Sequence, residues 1–224
     1  MLAVVCIDDL KQGIEYVNSS EYGLTSGLQS LDEEEQEIWK NSIEAGNLYI
    51  NRGITGAIVN RQPFGGMKRS AFGGGIKAGG VNYVSCFVEF EEKEKLPDVL
   101  GNSQLTDLVS DDHSKKRLSY AAINYPQVWE KEFALERDVN HIYGESNIFR
   151  YLPLKNCILR VQQEDDLADI FLIIGAAKTT NTTLTISIPE NDNKTNSIKK
   201  AASVLGNTSV IIQKESDFIT DMDK

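Results

Sequence analysis

Histidine is almost missing from this chain: His113 and His141 are the only two, both in polar stretches with no partner in view. Cysteine occurs three times, and no CxxC or His–Cys spacing links Cys6, Cys86 and Cys157. That excludes a zinc-finger-like or disulfide framework. Cys6 in "AVVCI" and Cys157 in "NCILRV" sit in apolar runs, so all three cysteines read as small core or interface residues and not as nucleophiles. Both histidines read as surface residues. No apolar run approaches the roughly 20 residues that a spanning helix needs. The opening "MLAVVCIDDL" has no basic n-region or cleavage site of a secretory signal, so a cytoplasmic address is expected by default. Positive charge is short as well: 23 Lys and Arg against 33 Asp and Glu leave a net charge of −10. Nucleic-acid binding needs clustered cations, and the short basic groups at Lys115–Lys116–Arg117 and Lys199–Lys200 read as solvated helix faces.

What is present is an ordinary globular composition, with 41% hydrophobic and 25% charged residues. The length allows one large or two small domains. "LAVVCI" reads as an opening strand, and "DDLKQGIEYVNSSEYG" as a helix capped by Asp8 or Asp9 with Leu10, Ile14 and Val17 on one face. "LTSGLQS" suits a short strand. "DEEEQEIWKNSIEAG" predicts a second helix, acids in its first turn and Gly46 just past its end. "NLYIN" is a third strand. "NYVSCFVEFEE" alternates like a strand, and the charged "EKEKLPDVLGNS" reads as a boundary. A mostly helical stretch, which Pro126 should kink or divide, follows it. From "NCILRV" to "SVIIQ", strands alternate with helices, which argues for a parallel, Rossmann-like sheet. No GxGxxG follows its first strand, so that half reads as structural.

Between Asn51 and Gly80 lies a long glycine-rich stretch of little periodicity. Such a loop is either a turn-rich connector or an anion cradle, in which glycine frees successive backbone amides to point into a concavity. Thr55–Gly56–Ala57 offers adjacent amides of that kind, and Phe64 stands eight residues on, where it could cover an apolar stem. "GGGIKAGG" lacks the GK[ST] ending of a phosphate loop. Lys68 and Arg69 read as solvated side chains.

The segment "AGNLYINRGITGAIVNRQPFGGMKRSAFGGGIKAGGVNYV" closely resembles the late catalytic-domain part of aldehyde dehydrogenases. In particular it resembles Δ1-pyrroline-5-carboxylate (L-glutamate γ-semialdehyde) dehydrogenases, separate or within bifunctional proline utilization A proteins. "AVVCIDDLKQGIEYVNSSEYGLTSGLQS" resembles the same family just upstream, and "VWEKEFALERDVNHIYGESNIFRYLPL" a linking stretch of its longer members. The resemblance implies an α/β fold: residues 1–95 as the C-terminal part of an aldehyde dehydrogenase catalytic domain with an oligomerisation strand, 96–150 as a helical linker, and 151–224 as a partial Rossmann-like extension. It implies that the amides of Gly56 and Ala57 hold the substrate carboxylate and that Phe64 packs on its methylenes. It implies NAD as cofactor, glutamate γ-semialdehyde as substrate, and a homo-oligomer or a complementary upstream fragment as partner. In the family the nucleophilic cysteine, the glutamate base and the NAD-binding fold precede the resembling region. The chain is therefore expected to be a C-terminal fragment with no catalytic or cofactor-binding residue of its own, inactive alone. The other reading is a non-catalytic interaction module.

Overall fold

Helix α1 (Leu10–Asn18) begins where an aspartate can cap it: the Asp9 carboxylate accepts from the Gln12 amide at 2.8 Å. Two short strands follow, β1 (Tyr22–Gly23) and β2 (Thr25–Leu28), then α2 (Glu33–Ser42), capped by Asp32, then β3 (Asn47–Ile50). This computed structural model describes residues 3–72, 75–91 and 103–222. Strands β2 and β3 pair in parallel, Thr25 with Asn47 through Leu28 with Ile50. The apolar faces of both helices cover them, and Ile14, Trp39, Ile43 and Ala45 form a small buried core. Asn18 ties the two helix ends together: its amide donates to the Ser42 carbonyl at 2.8 Å and its oxygen accepts from the Glu44 amide at 2.9 Å. Strand β4 (Met67–Lys68) returns antiparallel to β1. These elements form one compact unit, residues 1–90 together with 138–148.

The second unit comprises residues 91–137 and 149–224. It holds α3 (Asp112–Val128); β5 (Arg137–Asp138) pairs with β6 (Ile148–Phe149). Then come β7 (Asn156–Arg160), α4 (Leu167–Thr179), β8 (Thr183–Ile188), α5 (Thr195–Leu205), β9 (Thr208–Ile212) and α6 (Glu215–Met222). The predicted parallel sheet is present in the order β7–β8–β9. Its core is aliphatic with one aromatic: Val161, Ile170, Phe171, Ile174, Leu184, Ile186, Ile188 and Ile198 are almost wholly buried. Each such side chain stabilises the fold by about 1.5–3 kcal/mol. Strand β8 is central: Leu184, Ile186, Ser187 and Ile188 are buried, while Thr183 at its start is exposed, and its sequence TLTISI alternates polar and apolar residues.

Several expectations fail locally, each for a stated reason. Residues 3–7 form no strand: Val4, Val5 and Ile7 are exposed, and a strand without a partner has no ladder to hold it. Helix α2 stops at Ser42, short of Gly46, because Ile43 turns to extended backbone and carries its side chain into the core. Tyr83–Phe87 is a 3₁₀ turn where alternation predicts a strand, and Val88 beyond it is extended but pairs with no strand among the described residues. Helix α3 runs through Pro126, which lies in its last turn where only one intrahelical bond is forgone. The chain then widens into a π turn over Trp129–Phe133, closed by the Ala134 amide on the Trp129 carbonyl at 2.8 Å. Cys6 and Cys86 are exposed, so neither is a core residue within the chain, whereas Cys157 packs against the sheet core. His113 and His141 are exposed, as expected. The predicted boundary at residues 92–102 lies outside the described residues.

Candidate functional site

The stretch from Asn51 to Gly80 has little regular secondary structure, yet hydrogen bonds hold it closely. A tight turn pairs Ile58 with Gln62, with Asn60 at φ 60° at its tip. The Asn60 amide donates to the Gly79 carbonyl at 2.8 Å, and Phe64 and Ala78 exchange both backbone bonds at 3.0 and 2.9 Å. The first half of the loop therefore lies folded back on residues 78–79.

Under this fold-back sits Lys77. Its ammonium donates to the Gly65 carbonyl at 2.8 Å, to Asn47 Oδ1 at 3.1 Å and to the Gly46 carbonyl. Asn47, buried at the start of β3, donates in turn to the carbonyls of Leu24 and Gly65 at 2.9 and 3.1 Å. Burial pushes the Lys77 ammonium down to about 8. The backbone must come very close here: a Cβ at Gly46 would stand 1.9 Å from the Gly65 carbonyl oxygen. Glycine at 46 thus serves a contact between β3 and the loop, not a helix end.

The candidate amides stand at the outer end of this structure. Gly56 has φ 127°, a conformation that side chains other than glycine's rarely adopt. Its carbonyl is turned to the Tyr49 hydroxyl, which donates to it at 2.9 Å. Both Gly56 and Ala57 are exposed, and neither amide donates a hydrogen bond among the described residues. Phe64 is half-buried beside Ala78. No hydrogen bond among the described residues joins Phe64 to the Gly56–Ala57 pair. Positive charge flanks the pair on both sides in sequence: Arg52 lies over the Tyr49 ring at 5.6 Å, and Arg61 is paired with Glu145. Lys68 is not merely solvated, since its ammonium pairs with Glu44 at 2.8 Å and donates to the Ser20 carbonyl.

The model of the aldehyde dehydrogenase family matches residues 1–92. In sequence, residues 1–92 are thus similar to that family. The bifunctional protein PutA of Rhizobium meliloti is 48% identical over 81 residues, 36% of this chain and 6% of that protein. The 1-pyrroline-5-carboxylate dehydrogenase of Geobacillus kaustophilus is 45% identical over 76 residues, 34% of this chain and 14% of that enzyme. The likeness in structure runs further along the chain. Proline utilization A from Corynebacterium freiburgense superposes on 93% of this chain with a TM-score of 0.68 and 38% identity, and this chain spans 22% of it. Both units thereby share their fold with a part of that larger protein. The chain covers less than a quarter of the length of each of these relatives.

The sheet of the second unit does not fit a dinucleotide. Between β7 and α4 the turn carries Glu164, Asp165 and Asp166 and no glycine. Asp166 takes the Ala168 amide at 2.6 Å and Asp165 the Gln162 amide at 2.7 Å, so carboxylates occupy the donors that a pyrophosphate would need. A shallow cleft of about 380 Å³ lies beside this turn, lined by Asp107, Asp111, Ser114 and Asp166 among others, and it too is acidic. Among the described residues no group of three or more His, Cys, Asp or Glu could hold a metal ion. No helix among them is long and apolar enough to cross a membrane.

Sequence reasoning singled out Gly56, Ala57 and Phe64 but missed Lys77, Asn47 and Tyr49, which support them. A lysine inside a glycine-rich run was the available signal for Lys77, since so flexible a loop needs a buried donor to hold its carbonyls. For Glu145, 84 residues from Arg61, no local signal existed.

Proposed function

We propose that residues 51–80 form the carboxylate-binding part of an NAD-dependent L-glutamate γ-semialdehyde (Δ1-pyrroline-5-carboxylate) dehydrogenase, which oxidises the aldehyde to glutamate in proline catabolism. The observation that carries this reading is the pair of exposed, adjacent Gly56 and Ala57 amides without an acceptor, in a loop where Tyr49 holds the Gly56 carbonyl and Lys77 and Asn47 hold that of Gly65. Two adjacent amides give a carboxylate charge-assisted hydrogen bonds, and the half-buried Phe64 ring covers its methylenes. Gripping one end of a short substrate orients the aldehyde at the other for attack, which supplies a large part of such catalysis. NAD accepts the hydride in this family. The described residues do not fit it, and Cys6, Cys86 and Cys157 stand apart from the loop's bonding network. The 224-residue chain therefore binds the substrate's acid end but does not oxidise the other end by itself, and it works in a cytoplasmic oligomer or beside a complementary polypeptide.

The test is a titration of the ¹⁵N-labelled chain with L-glutamate, the product bearing the same carboxylate. The Gly56 and Ala57 amide signals shift saturably, Phe64→Ala weakens the binding, and no NADH forms from the semialdehyde and NAD. Unmoved Gly56 and Ala57 signals up to the solubility limit of glutamate would overturn the assignment.

A second reading, an interaction module, is favoured by the exposed apolar run after the loop. Val84, Phe87, Val88 and Phe90 are half or more exposed, with extended backbone at Val88. Such a segment suits strand addition to a partner. Light scattering that finds only monomer at all concentrations counts against it.

A further inference from the structure

The hairpin 138–148 lies outside the residues that match the family model, yet it belongs to the first unit and closes on the loop from both ends. The hairpin is organised by one carboxylate: Asp138 accepts the amides of Asn140, His141 and Asn147 at 3.0–3.1 Å. From this frame two side chains reach the loop. Asn140 Nδ2 donates to the Asn60 carbonyl at 2.9 Å. Glu145 pairs with Arg61 through one oxygen and with Arg52 through the other at 3.6 Å. Arg52 and Arg61 bracket Gly56–Ala57 in the chain, so a single carboxylate joins the two ends of the segment that carries both amides. Its own position is set by Asn147, whose side-chain Nδ2 donates to the oxygen paired with Arg61 at 3.3 Å. The Glu145 side chain is 27% exposed and that of Arg61 32%. The pair is thus partly desolvated and screened less than a surface ion pair.

Resting on the proposed carboxylate site, we infer that the hairpin 138–148 is a latch that sets the spacing of the Gly56–Ala57 segment, with Glu145 its positioning residue and Asn140 its second grip. Bringing Arg52 and Arg61 to one carboxylate closes the eight intervening residues, 53–60, into a loop of defined width. Two amides that must meet both oxygens of one acid group need such a width held before the ligand arrives. Glu145 also neutralises one of the two guanidinium charges, so the ligand's acid group is offered amides and is not drawn to an open pair of arginines.

The experiment compares the full chain with Glu145→Gln, which keeps shape but loses charge, Glu145→Asp, which keeps charge, and Asn140→Ala. Amide hydrogen exchange is followed at Ile58, Asn60 and Gln62, whose amides are bonded within the loop, and at β2–β3 as a control. Glutamate affinity is read from the Gly56 and Ala57 signals. Glu145→Gln is expected to speed exchange at the three loop amides tenfold or more, to leave β2–β3 unchanged, and to weaken glutamate binding about fivefold, with Glu145→Asp recovering part of both. Wild-type exchange in Glu145→Gln and Asn140→Ala overturns the latch. Faster exchange with unaltered glutamate affinity overturns the positioning role. Should the wild-type chain not bind glutamate at all, the proposed function fails, and the exchange data alone decide the latch. A Glu145→Gln chain that does not fold leaves the decision to Asn140→Ala, which removes no charge.

Discussion

Gly46→Ala tests how the loop is seated, and its magnitude follows from the contact. A Cβ at position 46 would stand 1.9 Å from the Gly65 carbonyl oxygen and 2.7 Å from Gly66 Cα, whereas real Cβ atoms essentially never come within 3.0 Å. Both neighbours are backbone, so relief requires β3 and the loop to separate by about 1 Å. That opening stretches the bonds to the Gly65 carbonyl from Asn47 Nδ2, now 3.1 Å, and from Lys77 Nζ, now 2.8 Å. Overpacking of this kind costs about 1–3 kcal/mol. The neutral bond contributes about 1 kcal/mol and the charged one about 1.5–3. Since strain is relieved as the bonds are lost, the terms do not fully add, and about 3–5 kcal/mol is expected. Against a total stability of roughly 5–15 kcal/mol, that is a large fraction. The assay is urea unfolding in a Trp129→Phe background, where the remaining Trp39, 4% exposed in the first core, reports on this unit. Gly53→Ala is the control, because a Cβ there meets nothing within 4 Å, and it should stay within about 0.5 kcal/mol. A Gly46→Ala loss below about 1 kcal/mol would refute the close seating of loop on strand.

Three further outcomes are expected. Phe171→Ala removes a ring with no exposed surface from the second core and should cost about 3–5 kcal/mol, seen as a fall in the midpoint followed by circular dichroism; a loss under about 1 kcal/mol refutes the packing. Lys77 titrates near 8 in the fold against 10.5 unfolded. Between those values the unfolded chain binds the extra proton, so stability rises with pH across about 8 to 10.5, and Lys77→Met should abolish that rise in the urea midpoint. The Asn147, His141 and Asn140 amides hold the Asp138 carboxyl below its ordinary value. A group depressed in this way supports the hairpin above the unfolded value near 3.9 and loses that support as pH falls through the folded one. A ¹³C carboxyl titration of Asp138 with its midpoint at or above about 3.9 contradicts the hairpin geometry.

Much was legible in the sequence wherever the determinant is local. Asp9, one of the two aspartates read as the cap of the first helix, caps α1 because a carboxylate just before an apolar-periodic run finds free amides ahead of it; Asp32 and Asp166 cap α2 and α4 for the same reason. The alternation of β7–α4–β8–α5–β9 requires crossover helices and hence a parallel sheet, which is what forms. Gly56, Ala57 and Phe64 were marked by composition and by resemblance, since glycine in a long aperiodic stretch is visible without coordinates. An apolar run misled at residues 3–7 and alternation at 83–91, because a strand exists only where a partner supplies its ladder.

Only the tertiary structure decided how the candidate loop is held. The sequence by itself determined which backbone can adopt φ 127° at Gly56 and which helices begin where, as these depend on neighbours a few residues apart. It could not place Lys77 beneath the Gly65 carbonyl, or Glu145 between Arg52 and Arg61, 84 residues from the latter. Those contacts are set by chain folding over long separations, where pairing follows geometry and desolvation and leaves no periodic trace in the order of residues.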